Sequence, residues 1–518
     1  MSVALETAKP ASQTLDLDEV RIDPAWALRV PAHYATRKRV LPLCQLNGQV
    51  IVACVRAIDS QTQKALRSYL KCDFQLVEVS LEALRRTLAR VHDSPAMGSD
   101  QLPDSGLSSN RSTARVSDAK SDGRHDVRAP GDDAVAMCDE LLQAAILRGA
   151  SDIHLVPGAT ALHAQLRVDG LLESYREFPI ALQPLVLSRL KVLAGMDIAE
   201  KRAPQDGRIT SRFSGSRQSL DIRVATLPTR YGERMTLRLL TAHASKLSLQ
   251  SLGMRTPDLQ AFTAATARPH GLVLLTGPTG SGKSTTLYVA IEELLKSRGG
   301  NVITIEDPIE YEIQGASQVE VDSADKVNFT KALRSVLRHD PDVVMIGEIR
   351  DAETANTAVK ASLTGHLVFS TVHTNTATGV VTRLMDMGVE PFLIAATLRL
   401  SVAQRLVRKL CQHCRKPRAM SAPEAFALHQ PTLQQSTVFD AGGCVMCAGR
   451  GYTGRVALFE MLESSEEVAK LIASGANEDA LLQNLRARNV SLLLDDGIAK
   501  ILDGVTTVAE VTSAVTVW

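Results

Sequence analysis

A chain of 518 residues exceeds what one hydrophobic core usually organises, so two to four domains are expected. Its composition, 45% hydrophobic and 22% charged, is that of a folded globular protein, and a net charge of +1 gives no support to bulk electrostatic binding of nucleic acid. The first 13 residues have neither a basic start nor an apolar core, and no run approaches the roughly 20 apolar residues of a spanning helix, which points to the cytoplasm.

In chain order, residues 40–55 read as two strands around a turn at Asn47-Gly48, and residues 81–91 carry apolar side chains at helical spacing. They belong to a small α/β domain in the N-terminal section, 1–92, where Cys44, Cys54 and Cys72 lack ligand spacing and read as core thiols. Between about His92 and Gly131, Ser, Asp, Arg, Gly and Pro replace any apolar periodicity, so 93–131 is expected to be a flexible linker. A helix then runs through Ile146 and stops at Gly149, and 163–170 and 220–224 alternate like half-buried strands. That predicts a second α/β domain over 132–245. From Gly271 the pattern changes to continuous apolar strands at 272–276, 302–305, 343–346 and 367–371, separated by helical stretches. A mainly parallel sheet wrapped by helices is expected within 246–518.

The first of those strands runs into Gly277-Pro278-Thr279-Gly280-Ser281-Gly282-Lys283-Ser284, a GxxxxGKS pattern followed by a helical stretch. The glycines let backbone N–H groups curl around phosphate oxygens, Lys283 faces the β/γ-phosphates, Ser284 offers a hydroxyl to Mg²⁺, and Thr285 meets the α-phosphate. ATP with Mg²⁺ is the ligand this predicts. Carboxylates follow two later strands: Glu306, Asp307 and Glu310 after 302–305, and Glu348 after 343–347. Acids there face the crevice outside the carboxyl ends of the sheet, where they can hold the metal's hydration shell or orient an attacking water. Cys411-Gln412-His413-Cys414 and Cys444-Val445-Met446-Cys447 form two CxxC pairs. Two such knuckles donate four thiolates to one structural Zn²⁺, in a module over 405–455.

Read in order, these motifs resemble the secretion ATPases of type II secretion and type IV pilus assembly. The resemblance covers 132–518 and rests on Ala150–His154, the P-loop, an aspartate box at 304–310, a Walker B stretch at 340–351 and a histidine box at 364–375. Val156 stands where the family usually has an acid. What the resemblance implies is a RecA-like P-loop NTPase motor domain preceded by smaller α/β domains, with a tetracysteine zinc insertion typical of the assembly-type members. It also implies a homohexameric ring that hydrolyses ATP between subunits and works with inner-membrane platform and adaptor proteins, docked through residues 1–92. His366 and His373, by themselves polar residues at a strand's two ends, become sensors near the γ-phosphate. Arg208 and Arg223, by themselves edge-strand arginines, match positions that act as arginine fingers; Arg238 matches less well. Which of Glu310 and Glu348 activates water stays open. A DNA-uptake pilus motor and a nucleic-acid-binding zinc protein are the alternatives; the latter has against it the balanced charge and the lack of an aromatic series in 411–447, so no direct nucleic-acid contact is expected. The N-terminal domain lacks the RLG-led motif of cyclic-dinucleotide-binding relatives, and that ligand is not predicted.

Overall fold

The computed structural model describes residues 15–92, 95–96, 130–213, 219–240, 247–321 and 329–515. Apart from 95–96 and 130–131, the segment expected to be a linker lies outside them. The chain divides into two compact units, Met1–Thr241 with Cys444–Gly449, and Ala242–Gly443 with Arg450–Trp518.

The first unit holds two sheets. Strands β1 (Val40–Leu46), β2 (Gln49–Cys54) and β3 (Phe74–Glu78) form a three-stranded sheet in that order. Asn47 and Gly48 at the β1–β2 turn both have positive φ, 49° and 82°, as the tight hairpin expected there requires. Helix Ser60–Leu70 is capped by Asp59, whose carboxylate accepts the Thr62 N–H at 2.6 Å, and helix Leu81–His92 buries Leu84, Leu88 and Val91. Cys44 and Cys54 are buried in this core, whereas Cys72 is only partly covered. Burial, then the neighbouring Asp23 charge, pushes the Cys44 thiol up to about 12, which keeps it protonated and inert.

The second sheet has seven antiparallel strands: β4 (Pro95–Ala96), β5 (Ala150–Pro157), β6 (Ala161–Val168), β7 (Leu171–Pro179), β8 (Gln205–Phe213), β9 (Ser219–Thr229) and β10 (Gly232–Leu240), in the order β4-β8-β9-β10-β5-β6-β7. Strict alternation along β6, with Leu162, Ala164, Leu166 and Val168 buried and their neighbours partly exposed, gives the sheet one core face. Helices Pro130–Arg148 and Gln183–Leu193 cover that face.

The second unit is built on a seven-stranded sheet of β11 (Gly271–Thr276), β12 (Val302–Glu306), β13 (Ala316–Glu320), β14 (Val343–Ile346), β15 (Leu367–Val372), β16 (Leu398–Leu410) and, past a small two-stranded ladder of β17 (Lys416–Ala419) with β18 (Thr437–Asp440), β19 (Tyr452–Glu463). Its order is β13-β12-β14-β15-β11-β16-β19, and every neighbouring pair is parallel except β16–β19. The central strands β11, β14 and β15 are buried at every position, because helices pack on both faces. Among the described residues no helix is long and apolar enough to cross a membrane.

Candidate nucleotide site

Because β11, β12, β14 and β15 are parallel neighbours, the residues that follow them emerge at one edge of the second unit's sheet. Gly277 to Gly282 leave β11 there and pass into helix Lys283–Arg298. Gly277 has φ 144°, and a Cβ on it would lie 2.5 Å from the Gln404 carbonyl oxygen, so only glycine lets the loop lie so close to β16. Pro278, Thr279, Gly280 and Ser284 are exposed, Thr285 is half-buried, and Ser281 and Lys283 are buried. Lys283 Nζ donates to the carbonyls of Gly277 (2.8 Å) and Pro278 (3.1 Å), and burial lowers its pKa against the opposing pull of Glu348. Its ammonium thus sits in the mouth of the loop, where the pattern places a phosphate-facing charge.

Glu348, one residue beyond the β14–Gly347 turn, is hydrogen-bonded by Arg350 and lies 3.3 Å from His373 Nε2. Burial works to raise this carboxyl, but the Arg350 and His373 contacts outweigh it and hold it below its ordinary value. Glu348 therefore stays an anion. His373 follows β15, beside the loop: Thr276 Oγ1 accepts from the Thr374 N–H at 2.7 Å, tying the two strand ends together. Of the acid box, Glu306 is buried, and Asp307 and Glu310 are exposed at the same edge. His366 is placed differently. It precedes β15, its Nδ1 2.9 Å from the Ala361 carbonyl oxygen, so a six-residue strand at about 3.3 Å per residue separates it by roughly 20 Å from His373. The two histidines stand at opposite ends of one strand, and only His373 is at the P-loop edge.

Sequence reasoning missed the side chains that hold the loop from behind. Gln404, 1% exposed in mid-β16, donates through Nε2 to the Ser281 carbonyl at 2.9 Å and accepts the Thr286 hydroxyl at 2.9 Å. Arg405 donates to the Asn375 carbonyl at 2.9 Å. No local signal marks Gln404, since it reaches the loop through a strand more than 100 positions downstream, while Arg405 ties that strand to the segment after β15. Arg350 was legible in principle, two residues after Glu348 in the same stretch.

In the first unit, the cross-strand register sets Arg208 of β8 opposite Arg223 of β9, and Arg223 opposite Arg238 of β10. Directly opposed residues share a face, so the three arginines form one row. Its flanks are acidic: Asp221 binds Arg208 through Nε at 2.7 Å, and Asp152 accepts from Arg238 Nε at 3.1 Å. Asp152 lies in the Ala150–His154 segment, so that segment contributes an ion-pair partner for Arg238.

The sulfur atoms of Cys411, Cys414, Cys444 and Cys447 all lie within 4.8 Å of one another, and Cys444 Sγ is 3.8 Å from Cys447 Sγ. A tetrahedral zinc with bonds of about 2.3 Å needs sulfurs about 3.8 Å apart, so the donor set fits a closed thiolate site that can bind a metal. Gly442 makes the approach feasible, since a Cβ there would lie 2.0 Å from the Cys414 carbonyl oxygen.

The family model described as type II/IV secretion system protein matches residues 131–513, and that of the MshEN domain matches 10–97. The type II secretion system ATPase E of Vibrio cholerae is 41% identical over 93% of this chain and 96% of its own length. The type IV pilus assembly ATPase PilB of Myxococcus xanthus is 37% identical over 96% of this chain and 88% of its own. Among solved structures, the ATPase DotB of Legionella pneumophila superposes with a TM-score of 0.55 at 24% identity, over 73% of this chain and 95% of that one, which shows the shared fold. A model spanning most of the chain and relatives covered almost end to end lead to one conclusion: this chain belongs to the type II/IV secretion system protein family.

Proposed function

We propose that this chain is the ATP-hydrolysing motor of a type II secretion or type IV pilus machine, a homohexamer that drives pilin or pseudopilin assembly from the cytoplasmic face of the inner membrane. The observation that carries the reading is the gathering of P-loop, Glu348, His373 and acid box at one edge of a parallel sheet; the similarity to a type II secretion ATPase and a type IV pilus assembly ATPase supports the machine class. Contact with the membrane is through platform and adaptor proteins, docked on the N-terminal domain.

In this reading Lys283 and the loop N–H groups hold the β/γ-phosphates, Ser284 and the acids Asp307 and Glu310 would hold Mg²⁺, and Glu348 orients the attacking water. Bound Mg²⁺ supplies charge neutralisation on the phosphates. Water oxygen bonds to the γ-phosphorus while the bond to the β–γ bridging oxygen breaks, and ADP and phosphate leave. His373 holds Glu348 and senses the γ-phosphate; we assign no such part to His366. The arginine row supplies positive charge to the transition state, and the four cysteines hold one structural Zn²⁺.

The test is phosphate release by the purified full chain with and without Mg²⁺, together with native mass measurement. Mg²⁺-dependent turnover by a six-chain assembly supports the reading, and a chain that binds no ATP refutes it. Glu348→Gln is expected to bind ATP within about twofold of wild type and to hydrolyse it about a hundredfold more slowly. Normal turnover would remove Glu348 from the chemistry. Arg208→Ala and Arg223→Ala are each expected to lower the maximal rate by ten- to a hundredfold, roughly, while ATP affinity and melting temperature stay near wild type. Restored activity on mixing either with Glu348→Gln chains would place the arginine on its neighbour's nucleotide; unchanged rates in both would exclude the row.

A further inference from the structure

Tyr288 lies in the second turn of the helix that leaves the P-loop, with its side chain 1% exposed. Its hydroxyl does two things. It is hydrogen-bonded to Glu306 Oε2, and it accepts the Glu310 backbone N–H at 3.2 Å. Glu306, 3% exposed at the end of β12, receives two further neutral donors on its other oxygen, the Thr304 hydroxyl at 2.6 Å and Gln318 Nε2 at 3.1 Å. Since a carboxylate only accepts, the tyrosine must donate to it, which leaves its oxygen lone pair for Glu310 N–H. Tyr311 packs edge-on against the Tyr288 ring, centroids 4.3 Å apart, and its own carbonyl accepts from Gln318. The acid-box loop is held from the β13 side as well, where Glu320 accepts the Ile309 N–H at 3.1 Å.

From this geometry we propose that Tyr288 is a positioning residue for hydrolysis: it ties the P-loop helix to the backbone of Glu310, and buried Glu306 anchors it. The idea rests on the nucleotide-site reading above and deepens it. Two consequences separate it from what the acid-box pattern suggests. Glu306, although it belongs to the box, has both oxygens engaged, by Tyr288 on one and by Thr304 and Gln318 on the other, and would not be one of the acids that hold the metal. The P-loop helix and the exposed Asp307–Glu310 acids are joined through one hydroxyl, so the helix sets where the acid box stands. Burial, and then the adjacent Glu306 charge, raises the Tyr288 phenol far above its usual range, so the donor persists at every working pH.

The decisive comparison uses the full-length chain, with wild type, Tyr288→Phe, Glu306→Gln and the double variant measured for turnover against ATP concentration. Tyr288→Phe keeps the ring and its packing but removes the hydroxyl. A displaced acid box is expected to lower kcat about tenfold with KM for ATP within about twofold. Glu306→Gln is expected to lower kcat with the same KM signature, and the double variant to lose no more than the worse single one, since both act through one hydrogen-bonded unit. Wild-type kcat in Tyr288→Phe, parallel losses of kcat and ATP affinity, or multiplied losses in the double variant would each overturn the proposal. If Tyr288→Phe fails to fold, Glu306→Gln alone decides by the same split of kcat from KM. A wild-type chain without ATP turnover would instead overturn the nucleotide-site reading itself, which keeps the two failures apart.

Discussion

Lys283→Ala is expected to bring ATP turnover down by about a thousandfold or more. The buried ammonium lies in the mouth of the loop, and among the described residues its hydrogen-bond partners are the backbone carbonyls of Gly277 and Pro278. No second lysine stands in the GxxxxGKS loop to take its place. Loss of one preorganised donor at a developing negative charge is worth about a hundred- to a thousandfold; here the lost group also neutralises the bound phosphates. Nucleotide affinity should therefore fall as well, in contrast to Glu348→Gln, which retains it. The pair of variants read together by ATP titration and phosphate release distinguishes a binding cation from a water-orienting carboxylate. Wild-type turnover in Lys283→Ala would sink the site.

The second large effect concerns the cysteines. Elemental analysis of the purified chain is expected to find one zinc per chain, and Cys411→Ser/Cys414→Ser should lose it altogether. Two remaining thiolates cannot close a tetrahedral site, and the binding free energy of such modules, about 10–16 kcal/mol in isolated zinc domains, is also their folding free energy. The β17–β18 ladder is short, four residue pairs, and its own buried apolar side chains are Met420, Ala425, Leu428 and Val438, which join the second unit's main core. Loss of the metal should accordingly raise protease sensitivity within 411–451 well before it reaches the parallel sheet. A metal-free wild type with the same protease resistance would refute this.

The parallel sheet was legible because burial on both faces leaves an unmistakable record: β11, β12, β14 and β15 are the four apolar runs, and each stops at a residue with chemistry to do. The cross-strand meaning of Arg208 and Arg223 was not. Both were picked out by resemblance, but that they stand opposite each other is a property of register, which links positions 15 apart in one pairing and depends on the β8–β9 connection. Gln404 and Tyr288 were invisible for a different reason. Each is a buried polar side chain, and its significance lies in which loop the tertiary fold brings against it. The placement of His366 and His373 was legible: they flank β15 as a strand's two ends, and His373 is the one at the P-loop edge.

The arginine row carries an error check within its own strand. Ile222 and Val224, buried on the core face, bracket Arg223 on the other. Because strand side chains alternate with a period of two, a one-residue insertion or slip in β9 would exchange them, driving the guanidinium into the core and two aliphatic side chains into water. Such a slip carries a heavy desolvation penalty and cannot accumulate as a silent variant. Drift in the loops can therefore lengthen or shorten the connections around β8, β9 and β10 while the spacing of the three guanidinium groups, one strand apart, stays as it is.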